Sequence, residues 1–391
     1  MAQAIISRRG GGSGYATITF NGVSALKRTG AAALVLPRYG LAATTVGNYA
    51  LFGGGYDNSY RVAVDAYNTS LTRATRTSLS QERANLAATT VGNYALFGGG
   101  MSRSGTTETF YSTVDAYDTS LTRSTPTALS VARRYLAATT VGDYALFGGG
   151  GGNTGILATV DAYNTSLTRS TPTALSEAGQ GLAATTVGNY ALFGGGYNGS
   201  YLSTVDAYDT SLTRSTPTSL SESRSSLAAT TVGNYALFGG GYNGSYLSTV
   251  DAYDTSLTRS TPTALSVARN YLAATTVGDY ALFGGGGGNP SILATVDAYN
   301  TSLISSIPEF LVEPRRSLVA TTVGNYALFG GGIGPSSTVD AYYVNNKVQV
   351  YPGTIYKLGS MSTESTSSTM QEIETTAPIT GYIKIKDATI N

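Results

Sequence analysis

Arginine recurs in this chain at a fixed register. Arg38, Arg83, Arg133, Arg224, Arg269 and Arg315 follow one another at intervals of 45 to 50 residues, with Gly179 at the one register that lacks the arginine. Six guanidinium groups brought into one ring would grip carboxylate or sulfate groups through paired N–H donors. The same groups would serve equally well to hold backbone carbonyls between repeats, so both readings are open. A second set is aromatic: Tyr56-Asp-Asn-Ser-Tyr60, Tyr197-Asn-Gly-Ser-Tyr201, Tyr242-Asn-Gly-Ser-Tyr246, and Tyr111 at the end of the longer stretch 101–111. Tyrosine presents a rigid face and a hydroxyl at low entropic cost, and Asn and Ser add adaptable donors, which is the chemistry of recognition surfaces.

Composition removes other chemistry. The 391 residues include no Cys, His or Trp. Disulfides, thiol nucleophiles and cysteine zinc sites are therefore excluded, and the commonest neutral-pH base and transition-metal ligand is missing. Carboxylates such as Glu82 and Glu222 are not fixed in a pair at a definable spacing, so no catalytic residue, cofactor or metal is assigned and a non-enzymatic protein is expected. Charge is balanced, with 24 Lys+Arg against 23 Asp+Glu, and only 12% of residues are charged. That gives no footprint for nucleic acid. No 18-residue apolar run exists, and the first ten residues have no apolar stretch after their charges, so neither membrane insertion nor a signal peptide is expected.

The elements that would position these residues repeat. Leu-Phe-Gly-Gly-Gly begins at Leu51, Leu96, Leu146, Leu192, Leu237, Leu282 and Leu328, and Val-Asp-Ala-Tyr follows each copy. In the unit spanning 227–271, Leu227-Ala-Ala-Thr-Thr-Val232 reads as a strand and Gly233-Asn234 as a hairpin turn. Tyr235-Ala-Leu-Phe238 is the second strand, Ser248-Thr-Val-Asp-Ala-Tyr253 the third, and Leu257-Thr-Arg-Ser-Thr261 the fourth, after an Asp254-Thr255-Ser256 turn. No segment carries a helical period. Four short strands repeated seven times predict an all-β, seven-bladed propeller, with the proline-terminated fourth strand outermost and the first lining the channel.

The unit resembles a kelch repeat. The resemblance rests on Arg269 ahead of Ala273-Ala274, on Tyr280-Ala-Leu-Phe-Gly-Gly285 and on Val250-Asp-Ala-Tyr-Asp254. It covers roughly residues 25 to 343. Kelch fourth strands usually carry a Trp; here Leu257 and its equivalents stand there, a smaller anchor between blades.

The seventh unit lacks its fourth strand, and the missing copy lies at the other end. Residues 24–38 align without a gap on residues 255–269, so the N-terminal segment is expected to supply the outer strand of the last blade and abolish the open edge. A three-residue turn would set Asp251 directly across from Arg259, and Asp340 across from Arg28 in the closing blade. Within a blade, the loop between strands two and three and the loop entering the next blade emerge on one face. Copy-to-copy variety is concentrated in those two loops, so that face is the candidate binding surface.

Three parts are expected: an arm over 1–24, the propeller over 25–343, and a β-rich tail or attachment module over 344–391, whose strands could pair with those of the arm. The ends resemble the short β-rich adaptors of phage tail or virion proteins. That resemblance implies a virion protein binding a host-surface glycan or protein through the variable face and other virion proteins through its ends, in an assembly holding several copies. The alternative is a cytoplasmic interaction scaffold gripping an acidic peptide at the arginine ring.

Overall fold

In each blade the first two strands stop at glycine and the third at an Asx turn, except that the third strand of the seventh blade runs on to Asn345. The computed structural model describes residues 25–333 and 336–345, together with the strands Ala4–Ser7, Ala16–Phe20, Val348–Val350, Lys357–Leu358, Gln371–Ile373 and Ile383–Ile385. Two compact units divide the chain: Arg28–Tyr343, and a second made of Met1–Lys27 with Val344–Asn391.

The larger unit is all β and forms a seven-bladed propeller. Blade 5 is typical: Ala228–Val232, Tyr235–Gly239, Val250–Asp254 and Arg259–Ser260 pair antiparallel in that order. The first strands line the centre, and the fourth strands are outermost as proline placement requires. In the seventh blade the order is Ala25–Gly30, Val339–Asn345, Tyr326–Gly330, Val319–Val323, so the N-terminal segment supplies the outer strand. Arg28 meets Asp340 at 3.1 Å across that junction.

The fourth strands are shorter than the sequence implies, and the register differs. Leu257 belongs to the turn, at φ +61°, as do Leu71, Leu121, Leu167, Leu212 and Leu303 at their registers. The Asp254 carboxylate accepts the amides of Ser256 and Thr258 at 2.8 and 2.9 Å. This is a turn closed by a left-handed residue, the three-residue hairpin solution. It sets Arg259 opposite Tyr253 rather than Asp251. The Asp251–Arg259 pair survives as a diagonal contact of 2.8 Å, because the arginine stem spans two residues. Leu257 packs into the core of the preceding blade, beside Phe238 and Tyr253.

Ring closure has three devices. The first glycine of each triplet leaves room for a phenylalanine of the neighbouring blade: a Cβ on Gly53 would sit 2.8 Å from the Phe97 ring, and one on Gly330 would sit 2.7 Å from Phe52, which joins blade 7 to blade 1. Buried tyrosines reach across the seam, as Tyr253 does in donating to the Thr218 carbonyl at 2.7 Å. Finally, the Thr-Thr pairs of the innermost strands link hydroxyl to hydroxyl around the whole circle. Thr44 meets Thr90, Thr89 meets Thr140, and the series runs on to Thr321 with Thr45, each at 2.8 to 3.0 Å. The second threonine of each pair also donates to its counterpart's carbonyl in the preceding blade, as Thr140 does to Thr90 at 2.6 Å. A closed array of paired polar groups leaves no innermost edge to unravel.

In the smaller unit, Ala16–Phe20 pairs with both Ala4–Ser7 and Ile383–Ile385, and Lys357–Leu358 pairs with Ile383–Ile385. Strands from the two ends of the chain therefore share one sheet, as their alternating sequences suggest. Residues 8–14 and the Ser/Thr-rich run 360–370 lie outside the described residues.

Candidate functional site

The arginine register does not form an open ring. Arg38, Arg83, Arg133, Arg224, Arg269 and Arg315 are all 0% exposed. Each Nη2 donates to the third-strand Asp of the blade it enters: Asp65, Asp115, Asp161, Asp251, Asp297 and Asp340, at 2.6 to 2.8 Å in the first five. The same Nη2 donates to the Phe carbonyl of the second strand, as Arg269 does to Phe283 at 3.1 Å. The arginine carbonyl in turn accepts a glycine amide of the preceding blade, Gly241 to Arg269 at 2.8 Å and Gly332 to Arg38 at 2.9 Å. These six residues are therefore seam architecture. Burial lowers the Arg269 pKa against the opposing pull of Asp297, and no face is left for a ligand. The acidic-peptide reading loses its site.

Asp206 is the member without an entering arginine, because Gly179 stands there. It accepts the Ser176 amide at 3.1 Å and hydroxyl at 3.0 Å, with Arg214 no nearer than 3.7 Å. Burial raises its pKa, which the hydrogen bonds from Ser176 and the charge of Arg214 only partly offset.

The variable loops do gather on one face, at the mouth of the central channel. They line a cavity of about 1100 Å³, and eight of its lining residues are tyrosine. Tyr56, Tyr60, Tyr197, Tyr201 and Tyr242, picked out from the sequence, all line it. Tyr246 lines a smaller cavity of about 390 Å³ that shares Tyr242. Tyr111 stands apart from both: half-buried, its hydroxyl meets Ser102 at 2.8 Å and its carbonyl accepts the Arg133 amide at 3.1 Å. The rings at the mouth are ordered against one another, with centroids 5.6 Å apart for Tyr39–Tyr56 and 4.9 Å for Tyr56–Tyr60.

The innermost part of the site was missed by sequence reasoning. Two residues after each buried arginine register the chain turns left-handed, at Gly40, Asn85, Tyr135, Gly181, Ser226, Tyr271 and Ser317, with φ between +50° and +65°. Their backbones form a belt around the mouth. Asn85 donates to Gly40, Tyr135 to Asn85, Gly181 to Tyr135, Ser226 to Gly181, Tyr271 to Ser226 and Ser317 to Tyr271, at 2.7 to 3.0 Å. A left-handed tyrosine is a genuine conformational outlier. Tyr135 and Tyr271, at φ +53° and +50°, are 41% and 46% exposed and line the cavity. Backbone strain of about 1–3 kcal/mol held by a hydrogen-bonded belt is the pattern found at ligand clamps. The signal in the sequence was weak: the position varies from Gly to Asn, Tyr and Ser, always just before a constant leucine, but the residue ahead of it varies as well.

Charge at the mouth is lopsided. Its ionisable lining residues other than tyrosine are Arg103, Glu108, Arg134 and Arg316. Arg134 pairs with Glu108 at 3.2 Å and lies over the rings of Phe110 and Tyr135 at 5.2 and 5.1 Å. Desolvation raises the Tyr135 hydroxyl pKa, with the Arg134 charge opposing it, so the phenol stays neutral and able to donate. Among the described residues no group of three or more carboxylates is arranged to hold a metal ion.

No protein-family model matches the chain, and no curated protein matches it. A solved structure, "Structure of YjhT", is similar over 71% of this chain and 99% of its own, with a TM-score of 0.57 and 11% identity. At that identity the likeness shows the propeller fold alone.

Proposed function

We propose that this protein is a non-enzymatic binding propeller of the kelch type, taking its ligand at the channel mouth and attached through the unit built from its two ends. The observation that carries the reading is the mouth cavity of about 1100 Å³, walled by tyrosines from the loops that differ between blades. A rigid scaffold closed by threonine, phenylalanine and Arg–Asp contacts holds those loops, so side chains at the mouth vary without cost to the blades. The ligand is a glycan or protein displayed on a host surface, and the carrier is a virion or phage tail. The shared sheet of Ala16–Phe20 and Ile383–Ile385 supports a separate attachment module, and seven nearly identical blades with diversified loops suit a surface tracking a changing receptor.

Two measurements test this together. Labelled protein should adhere to host cells, and adhesion should fall at least tenfold in Tyr271→Ala; antibody-gold electron microscopy should place the chain on particles released by lysis. Adhesion unchanged by any substitution at the mouth would refute the site, and its absence from particles would refute the carrier.

A further inference from the structure

The mouth is chemically divided, and one side continues outward. Every lining residue from Gln180 to Leu272 is uncharged, whereas Arg103, Glu108, Arg134 and Arg316 belong to other blades. On the uncharged side the tyrosines form an unbroken arc across two blades. Ring centroids lie 5.2 Å apart for Tyr197–Tyr201, 5.9 Å for Tyr201–Tyr242 and 5.5 Å for Tyr242–Tyr246. Tyr242 lines both the mouth and the second cavity of about 390 Å³, which is bounded further by Gly244, Ser245, Val267, Ala268 and Asn289, again without a charge. The arc thus leads from the channel mouth to the rim.

We propose that the ligand is a chain of neutral sugars lying along this arc, its end at the channel mouth beside Tyr271. The inference rests on the reading of the mouth as a binding site. A pyranose has an apolar C–H face that stacks on an aromatic ring and an edge of hydroxyls that needs amides and hydroxyls. The arc supplies the rings, and Gln180, Ser225, Ser226 and Asn270 supply the polar groups beside them. A carboxylate or phosphate would find no cation among the residues of the arc; Arg316 lies beyond its end, past Asn270 and beside Gly287. An extended peptide would need an unpaired strand edge, but the loop backbones are already bridged, Gln180 with Tyr197, Tyr197 with Tyr201, Ser225 with Tyr242 and Tyr242 with Tyr246. A row of rings also favours length, since each further sugar meets a further tyrosine.

The full chain is titrated calorimetrically with malto-, cello- and galacto-oligosaccharides of increasing length, and with oligogalacturonides as the anionic series. The expected result is binding of one neutral series, tighter by at least tenfold from the disaccharide to the hexasaccharide. Tyr242→Ala should lose at least tenfold for the longer chains, Tyr242→Phe should retain binding through its ring, and Asp143→Asn, in the turn between Ala137–Val141 and Tyr144–Gly148 on the opposite face, should change nothing. A thermal melt of each variant confirms folding. Affinity independent of length, or binding of oligogalacturonides alone with loss in Arg134→Ala, overturns the neutral-chain inference and leaves the mouth as the site. If no saccharide binds while Tyr271→Ala still abolishes cell adhesion, the inference falls and the mouth takes a protein. If adhesion survives every mouth substitution, the site itself falls.

Discussion

Replacing Arg269 with methionine removes the one charged partner of Asp297 among the described residues, because Ser305 stands where other blades place a fourth-strand arginine. The carboxylate would remain 3% exposed, with only the Ser266 amide at 2.9 Å still donating to it. Breaking a buried pair from one side costs about 3–5 kcal/mol. In a domain of this size that corresponds to a fall in melting temperature on the order of 4–8 °C. Arg224→Met is the internal control: Asp251 keeps Arg259 at 2.8 Å, so the loss should be smaller by at least about 1 kcal/mol. Adding Asp297→Asn to Arg269→Met should recover part of the loss, since the amide oxygen still accepts from Ser266 and no charge is stranded. Denaturant unfolding followed by circular dichroism measures all three. Equal losses in the two single variants, or an unchanged midpoint in Arg269→Met together with lost ligand binding, would refute the assignment of the arginines to the seams.

Gly179→Arg should supply Asp206 with its missing partner and raise stability by about 1–3 kcal/mol; the displaced atom would be Leu202 Cδ1, 3.1 Å from a Cβ at Gly179 and at the end of a flexible side chain. Because the folded-state pKa of Asp206 is raised, its protonated form favours folding and its contribution to stability is lost as pH rises through that value. The wild type should therefore gain from Gly179→Arg more at neutral pH than below the carboxylate range, and a gain independent of pH would contradict this. Tyr271→Gly should relieve a left-handed strain of about 1–2 kcal/mol and leave the melt unchanged or higher while ligand binding falls; Gly40 and Gly181 already occupy that position in other blades. Deleting residues 1–36 removes the outer strand of the seventh blade and buried Leu34, so the melting temperature should drop sharply, and an unchanged curve would refute the latch.

The propeller, its blade count and its N-terminal latch are legible because each rests on a repeated pattern: Leu-Phe-Gly-Gly-Gly, Val-Asp-Ala-Tyr and the gapless match of residues 24–38 to 255–269. The diagonal Asp251–Arg259 register was not legible, because it depends on Leu257 adopting φ +61°, a conformation that leucine rarely signals. Arginine at a loop register gives no indication of burial, since the cost of desolvating it is met by an Asp from the middle of a distant strand. The tyrosine loops were legible as a face. The left-handed belt that sets Tyr135 and Tyr271 over the channel was hidden by its dependence on hydrogen bonds between blades.

The proposed ligand meets one of two rings of residues, the buried arginines or the tyrosines at the mouth. Host-cell adhesion measured side by side for Arg269→Met and Tyr271→Ala, at a temperature where both are folded, decides it. The expected result is wild-type adhesion for Arg269→Met and at least a tenfold loss for Tyr271→Ala. Loss in Arg269→Met with full adhesion in Tyr271→Ala would contradict it.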